Sequence, residues 1–198
     1  AKALGLPILH RSEMLAFLTL ASKAICVAGA HGKTTTSSMI ALMMELAGLQ
    51  PTIVVGGDIE QIGGNAKYGG GEYLVAEADE SDGTFLRLNP WMTVVTNIEE
   101  DHLDHYKDLA EIKEAFSAFV ALPGENGVGI FCLDCPDVRD IITSAKGQVI
   151  TYGFQEAADI RAENWQQEDG LNKADIYRQG EHLGQLVLHV PGRHNMSN

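Results

Sequence analysis

The sequence contains few cysteines, few basic residues and no long apolar run. Among its 198 residues, 14 are lysine or arginine and 27 are aspartate or glutamate, which gives a formal net charge of −13. This acidity argues against general affinity for nucleic acid or anionic membranes, because both carry dense negative charge. No apolar stretch reaches the roughly 18 residues that a membrane-spanning helix needs, and we therefore expect no such helix.

The cysteine content excludes a zinc ribbon. Three cysteines are present, and only Cys132 and Cys135 form a C-x-x-C pair, whereas a ribbon needs two pairs. We interpret Cys135 as the end of a strand-to-helix turn, with Pro136 as the first helical residue. A redox-active pair is the alternative. The odd cysteine count and the lack of a signal-peptide pattern fit a reducing, cytoplasmic location.

The order of apolar and polar runs predicts an α/β fold with a mostly parallel sheet and helices on both faces. After Gly153, short runs with polar separators predict a small antiparallel β element at about 153–190. The last residues, 191–198, are typical of a turn into a helix. We predict an extended piece at 7–10, strands at 24–28, 50–55, 73–76, 92–96, 128–133 and 149–152, a glycine-rich loop at 56–71, and helices at 12–20 (with Ser12 as N-cap), 37–46, 109–122 and 136–144.

A short segment after the strand predicted at 24–28 contains the residue types that bind phosphate groups. The strand ends at Gly29, the chain turns through Gly32, and Lys33 and Thr34 come just before a predicted helix. Glycines let backbone N–H groups surround anionic oxygens, and a helix start adds unpaired N–H groups. In such loops the lysine contacts the β- and γ-phosphates and the threonine hydroxyl binds Mg²⁺. An ordinary strand-to-helix turn with a surface lysine is the alternative.

An acidic segment follows another predicted strand. It contains Glu77, Asp79, Glu80 and Asp82. A carboxylate at a strand end that faces a phosphate-binding loop is the expected partner for Mg²⁺, which takes few protein ligands and fills its other positions with phosphate and water oxygens. Glu77 is closest to the strand and is our candidate ligand. We interpret the other three as structural or supporting residues, and a solvated acidic loop is the alternative.

A third polar segment, residues 96–106, also follows a predicted strand. Dense polar residues directly after a buried strand indicate a site, and His102 is a candidate ligand for a second metal ion or for a γ-phosphate. A histidine that caps a helix start is the alternative. Because ligands in parallel sheets bind beyond the carboxyl ends of the strands, we expect the three segments to meet at one edge.

These segments together resemble the Mur ligase family of ATP-dependent amide-forming enzymes. The matching motifs cover nearly the whole chain. Their residue sequences are most similar to those of the branch that joins L-alanine to UDP-N-acetylmuramate in peptidoglycan synthesis. The motifs are Gly29-Ala30-His31-Gly32-Lys33-Thr34-Thr35, Glu77-Ala78-Asp79-Glu80-Ser81-Asp82, Thr96-Asn97 with Asp101-His102-Leu103-Asp104-His105-Tyr106, and Pro191-Gly192-Arg193-His194-Asn195.

The resemblance implies ATP and Mg²⁺ as cofactors and gives roles to named residues. The implied catalytic residues are Lys33, Glu77 and His102. The implied metal ligands are Thr34 and Glu77 for one Mg²⁺ and His102 for a second. The implied ATP-binding residues are Gly29, Ala30, His31, Gly32, Lys33, Thr34, Thr35, Asn195 and Asn198, the two asparagines lying near the adenine. The implied substrate contacts are Gly56, Gly57 and Asn97.

The resemblance also implies a reaction and a domain arrangement. Family members phosphorylate the lactyl carboxylate with ATP, and the amine of the amino acid then displaces phosphate from the acyl phosphate. Residues 1–20 match the end of a first domain, which binds the uridine nucleotide, and residues 21–198 match the central ATP-binding domain. The sequence begins without methionine and lacks a match to the amino-acid-binding third domain. We expect a fragment that cannot ligate by itself, with small-molecule substrates and no nucleic-acid or membrane partner.

Departures from the usual motifs leave alternatives open. The usual phosphate-binding loop has glycine at the position of Val27, and the family usually has threonine at that of Ala30. Several Mur ligases carry a carbamylated lysine in the helix after the segment that contains the site histidine. This chain has Phe116 at that position or, if the alignment shifts slightly, Lys113. A murein-tripeptide ligase, a folylpolyglutamate synthase and a nucleotide-binding module without ligase activity are the alternatives.

Overall fold

The computed structural model describes residues 4, 6, 8–190 and 192–198, and its strands form one ten-stranded sheet. The strands are β1 Lys23–Ala28, β2 Thr52–Ile59, β3 Gly64–Lys67, β4 Tyr73–Glu77, β5 Met92–Val95, β6 Val128–Cys132, β7 Gln148–Gly153, β8 Ile160–Glu168, β9 Leu171–Arg178 and β10 Glu181–Leu188. The helices are α1 Arg11–Leu20, α2 Lys33–Leu46, α3 Leu109–Val120, α4 Pro136–Ile141 and α5 Arg193–Ser197, with 3₁₀ segments at Glu60–Ile62, Thr84–Arg87 and Ile142–Ser144.

The strand order is β10-β9-β8-β7-β6-β5-β1-β4-β2-β3. Strands β2, β4, β1, β5, β6 and β7 are parallel, and β3 closes one edge antiparallel to β2. The chain leaves β1 toward β2 on one side and leaves β5 toward β6 on the other. The order therefore reverses between β1 and β5, and ligands in such sheets bind in the crevice beyond the carboxyl ends of the strands at this point.

Two apolar clusters, one on each face of the sheet, form the core. Alternate residues of a strand point to opposite faces, so Ala24, Cys26 and Ala28 of β1 join one cluster while Ile25 and Val27 join the other. The first cluster packs against α3 and α4, and the second packs against α2. Because β1 is buried on both faces, its sequence is a continuous apolar run instead of an alternating one.

The predicted α/β class is confirmed, and most predicted elements are present with shifted ends. Helix α2 begins at Lys33, four residues before the prediction at Ser37. The sequence did not indicate this first turn, because its threonines show no apolar periodicity. Helix α1 begins at Arg11, and its N-cap is His10 instead of Ser12. The His10 ring accepts from the Ser12 N–H, while the Glu13 carboxylate accepts from the His10 N–H, which completes a capping box.

The glycine-rich region 56–71 is more regular than the loop that the sequence predicts. Strand β2 continues through Gly56 and Gly57 to Ile59, and β3 returns antiparallel to it. The antiparallel element at the other end is not separate, because β8 pairs in parallel with the end of β7 and so extends the same sheet. The predicted extended piece at 7–10 and the turn at 191 lie partly outside the described residues.

Candidate functional site

The loop between β1 and α2 depends on two glycines with positive φ. Gly29 has φ +146°, and a Cβ there would lie 2.1 Å from the Thr96 hydroxyl oxygen, so a larger residue cannot fit without displacing β5's end. Gly32 has φ +82° and is the N-cap of α2, whose start has no side-chain cap. The first N–H groups of α2 therefore face the loop with the positive end of the helix dipole, which is the arrangement that binds phosphate oxygens.

The Lys33 ammonium lies inside this loop. Its Nζ donates to the Gly29 carbonyl oxygen at 2.7 Å and to Glu80 Oε1 at 2.7 Å, and only 14% of the side chain is exposed. An ammonium has three N–H donors, and these two contacts leave one for a further acceptor. The structure thus places a cation at the loop with its direction fixed from two sides, and the alternative of a freely solvated surface lysine is wrong.

Thr34 and Glu77 meet although 43 residues separate them in the chain. The Thr34 hydroxyl donates to Glu77 Oε2 at 2.9 Å, and the Gly56 N–H donates to the same oxygen at 2.8 Å. A Cβ on Gly56 would lie 2.5 Å from Glu77 Oε2, and one on Gly57 would lie 3.0 Å from Thr34 Cγ2. The glycine pair of β2 therefore leaves room for the Thr34 and Glu77 side-chain oxygens to approach each other.

Glu80, interpreted from the sequence as a structural or supporting residue, is the acidic residue that lies beside Lys33. It is 2% exposed, and its Oε1 lies 2.7 Å from Lys33 Nζ and 3.4 Å from His102 Nε2. His102 is in a loop with φ +56° and does not begin a helix, so the helix-cap alternative is wrong. The sequence shows four carboxylates in six residues and cannot tell which one turns inward, because that depends on the bend after β4.

The carboxyl ends of β1 and β5 are joined through His31. The Asn97 amide accepts from the His31 N–H and donates to the His31 carbonyl, both at 2.8 Å, and the Thr96 hydroxyl donates to the same carbonyl at 2.7 Å. Three hydrogen bonds to one residue fix the shape of the loop. The structure thus places Asn97, predicted as a substrate contact, on the backbone of the phosphate-binding loop.

Helix α5 places the residue that follows it, Asn198, against the same loop. A Cβ on Gly32 would lie 2.5 Å from the Asn198 side chain. Asn195 is buried on the same helix, and the Ser197 hydroxyl donates to Asp134 Oδ2 at 2.7 Å, which ties the helix to the chain after β6. Of the two asparagines predicted near an adenine, Asn198 is thus at the rim, and Asn195 is buried in the helix before it.

Two cavities open at this rim. One of about 290 Å³ is lined by the loop and by Glu77. A second of about 400 Å³ lies beside it, so together they have the volume of a small-molecule site. The first is lined by Ala30, His31, Gly32, Lys33, Thr34, Thr35 and Glu77, and the second by residues that include Thr96, Asn97, Asp134, Cys135 and Asn198.

The cysteines take structural positions. Cys135 ends the turn before α4 with Pro136 in the first helical turn, as predicted, and its Sγ accepts from the Ile98 N–H at 3.5 Å. Burial raises the pKa of the Cys26 thiol to about 12, so it stays protonated at neutral pH. All three thiols are free.

Neither residue aligned with the carbamylated lysine reaches the site. Phe116 is 1% exposed and packs edge-on against Phe85 in the core. Lys113 pairs with Asp140 and Asp137, and hydrogen bonds to these carboxylates raise its pKa. Carbamylation needs the neutral amine, so this environment disfavours it.

The residues at the rim fit a nucleotide with Mg²⁺. Thr34 and Glu77 provide hard oxygen donors, which Mg²⁺ prefers, and few of them, as expected when phosphate and water complete the shell. One carboxylate oxygen, Glu80 Oε2, is buried and has no hydrogen-bond partner among the described residues.

The described part of the chain contains no group of three or more His, Cys, Asp or Glu side chains that could hold a metal ion. In the same residues, no helix is both long and apolar enough to cross a membrane.

Comparisons with known proteins agree with this geometry. A family profile described as the Mur ligase middle domain matches residues 27–198. The chain is 49% identical, over its whole length, to the UDP-N-acetylmuramate–L-alanine ligase of Pelotomaculum thermopropionicum, and 51% identical over 98% of its length to that of Desulforamulus reducens. It covers 43% and 42% of these relatives, so the chain spans less than half of their length.

A solved structure has the same fold. The UDP-N-acetylmuramate:L-alanyl-gamma-D-glutamyl-meso-diaminopimelate ligase of Neisseria meningitides superposes with a TM-score of 0.83 at 27% identity, covering 99% of this chain and 64% of that one. Because the profile matches well over half of the chain and the fold agrees, the chain belongs to the Mur ligase family.

Proposed function

We propose that the protein to which this chain belongs joins L-alanine to UDP-N-acetylmuramate with ATP, and that this chain forms the ATP- and Mg²⁺-binding core. The observation that carries the proposal is the meeting of Thr34 and Glu77 beside the Lys33 loop. The L-alanine specificity is supported by the names of relatives about half identical to this chain.

The proposed roles follow from the positions of the side chains. The N–H groups at the start of α2 and the Lys33 ammonium would contact the phosphates, and Thr34 and Glu77 would hold one Mg²⁺ while His102 serves a second. Bound Mg²⁺ would neutralise charge on the transferred phosphoryl group. Asn198 would face the nucleoside in the cavity that Asn97 also lines, and Asn195 would lie nearby in the same helix. The remaining loop residues, Gly29, Ala30, His31, Gly32 and Thr35, would contribute backbone contacts.

The proposed reaction has two steps. A lactyl carboxylate oxygen of UDP-N-acetylmuramate attacks the γ-phosphorus, and the bond to the β,γ-bridging oxygen breaks to release ADP. The amine of L-alanine then attacks the carbonyl carbon of the acyl phosphate, phosphate leaves, and the amine loses a proton. Lys33 acts in the first step, because its free N–H donor stabilises negative charge that develops on the phosphoryl oxygens.

We propose that residues 21–198 form the central domain and that residues 1–20 end the preceding one. Helix α1 is packed onto the central domain: the Thr19 hydroxyl accepts from the Asn89 N–H at 3.0 Å and donates to the Ala16 carbonyl at 2.7 Å. Helix α1 therefore fixes where a preceding domain would join the rim that carries Glu77.

A ligase that recycles a murein tripeptide is the second candidate, because the Neisseria enzyme superposes over 99% of the chain. ATP-dependent phosphate release by the full-length protein separates the two. Release that requires L-alanine and UDP-N-acetylmuramate supports the first candidate, and release that requires the tripeptide supports the second.

The role of the loop is tested by Lys33→Ala in the full-length protein. We expect ATP-dependent activity to fall at least about a hundredfold, because a phosphate contact made in the transition state is lost. Lys67→Ala is the matched control, since Lys67 pairs with Glu45 and lies outside the loop. An unchanged rate for Lys33→Ala would contradict the proposal.

A further inference from the structure

The buried carboxylate of Glu80 has two cationic or potentially cationic neighbours and no access to solvent. Its Oε1 contacts Lys33 Nζ at 2.7 Å and lies 3.4 Å from His102 Nε2, and its Oε2 has no hydrogen-bond partner among the described residues. Burying a carboxylate is costly unless it is paired. A buried carboxylate with only one oxygen paired does little to stabilise the fold. The contacts of Glu80 are instead to Lys33 and His102, beside the loop between β1 and α2.

Residues 96–106, the segment that contains His102, hold the backbone of Glu80 in place. The Tyr106 hydroxyl donates to the Glu80 carbonyl oxygen at 2.6 Å, and the Tyr106 N–H donates to the His102 carbonyl at 3.0 Å. Burial, and then the nearby Glu80 charge, raises the pKa of Tyr106 to about 12, so its hydroxyl keeps the proton it donates. Tyr106 thus fixes the bend after β4 and the histidine segment relative to each other.

The geometry points to Glu80 as a positioning residue for Lys33. We propose that its carboxylate and the Gly29 carbonyl together direct the third N–H of the ammonium toward the incoming phosphates, while the same carboxylate oxygen sets the His102 ring beside it. The proposal rests on the nucleotide-binding function proposed above. Glu80 itself would touch no phosphate, because its carboxylate faces the side chains proposed to contact the phosphates and the second Mg²⁺, Lys33 and His102.

The proposal and simple charge repulsion predict opposite effects of Glu80→Gln on ATP affinity. Glu80→Gln removes a negative charge near a site for an anion, and repulsion alone would make ATP bind more tightly. If Glu80 positions Lys33, the glutamine leaves the ammonium without its ionic partner, and ATP binds more weakly, by about tenfold, as expected when a hydrogen bond between two charged groups loses the charge of its acceptor.

The test is a double-mutant cycle read by ATP binding to the 198-residue chain in calorimetry. The variants are Glu80→Gln, Lys33→Met and the pair, with Glu100→Gln as the charge-matched control because Glu100 is exposed on the neighbouring segment. We expect Glu80→Gln to weaken binding in the wild-type chain and to have no further effect when Lys33 is already methionine. Glu100→Gln should change binding less than twofold.

The outcomes separate this inference from the function on which it rests. A wild-type chain that does not bind ATP would overturn both. A wild-type chain that binds ATP, with Glu80→Gln binding equally or more tightly, or losing the same factor in the Lys33→Met background, would overturn the inference alone. Should Glu80→Gln fail to fold, Tyr106→Phe replaces it, since losing the hydroxyl frees the Glu80 backbone. Weaker binding that depends on Lys33 then supports the inference, and unchanged binding refutes it.

Discussion

At the residue scale, the oxygen pair of Thr34 and Glu77 carries the metal-binding part of the account. The 2.9 Å hydrogen bond between them shows that the two oxygens lie on one side of the rim, and Gly56 donates a second hydrogen bond to the same carboxylate oxygen. A carboxylate held by a hydroxyl and an N–H is already oriented, so an ion that replaces the hydrogen bond between Thr34 and Glu77 needs little rearrangement.

Glu77→Ala should raise the Mg²⁺ concentration needed for half-maximal activity of the full-length protein by at least about tenfold, because one of few protein ligands is lost. The measurement is a Mg²⁺ titration at fixed ATP. Glu72→Ala is the control, since Glu72 is exposed and pairs with Lys23. The same Mg²⁺ dependence for wild type and Glu77→Ala would remove Glu77 from the metal site.

Gly29 offers a second prediction at this scale. Gly29→Ala should lower the free energy of unfolding by more than about 3 kcal/mol, because φ +146° is a region that only glycine adopts easily and the new Cβ would meet the Thr96 hydroxyl. Gly48→Ala is the matched control: its φ is +74°, nothing lies within 4 Å, and the cost should be about 1 kcal/mol. Urea denaturation measures both, and equal losses would contradict the close approach of the two strand ends.

The sequence could predict some of these residues and not others. Lys33 and Thr34 follow a glycine turn at a fixed spacing, and Glu77 ends a strand, so local pattern was enough to nominate them. Glu80 and Asn97 depend on contacts between segments 47 and 66 residues apart in the chain. No periodicity within one segment reports such a contact, and for that reason the inward turn of Glu80 could only be seen in three dimensions.

At the element scale, the ends of strands and helices decide how the rim is built. Strand β2 runs through Gly56 and Gly57, although two glycines usually indicate a loop, because the chain pairs with β3 again at Ile59 after a register shift. Helix α2 starts at Lys33 because Gly32 takes the left-handed conformation at its N-cap. Both differences from the sequence prediction bring backbone N–H groups closer to the site. Both depend on contacts between distant segments, which the local preferences of the residues cannot predict.

Helix α3 is a core element and does not supply a metal-supporting lysine. Phe116→Lys should destabilise the chain by about 4 kcal/mol or more, because it removes a buried ring and places a charge among Phe85, Phe119 and the sheet. Phe17→Lys on α1 is the control, since that ring is 68% exposed, and its effect should stay within about 0.5 kcal/mol. Thermal or urea unfolding compares them, and a stable Phe116→Lys chain would show that this face of α3 is open.

At the scale of the whole molecule, the strand order explains why the site lies where it does. The reversal between β1 and β5 leaves a crevice at their carboxyl ends, and the loops after both strands meet there through His31 and Asn97. The alternation of strands and helices was sufficient to predict the sheet and the edge at which the three motif segments meet. It could not predict that β8 would extend the same sheet, because that pairing involves only two residue pairs at the end of β7.

The chain alone should bind ATP without ligating. It covers about 43% of the length of its curated relatives, and the resemblance to the family implies that the sites for the uridine nucleotide and for L-alanine belong to other domains. Phosphate release from ATP by the 198-residue chain should therefore not respond to L-alanine and UDP-N-acetylmuramate. A rate that rises when both are added would show that this chain already contains a complete active site.

The most direct measurement is a crystal structure of the chain with Mg²⁺ and a non-hydrolysable ATP analogue. The account predicts one Mg²⁺ within bonding distance of both the Thr34 hydroxyl and the Glu77 carboxylate, with the Lys33 ammonium on a terminal phosphate. A nucleotide bound elsewhere, or a Mg²⁺ that touches neither oxygen while the loop stays empty, would contradict it.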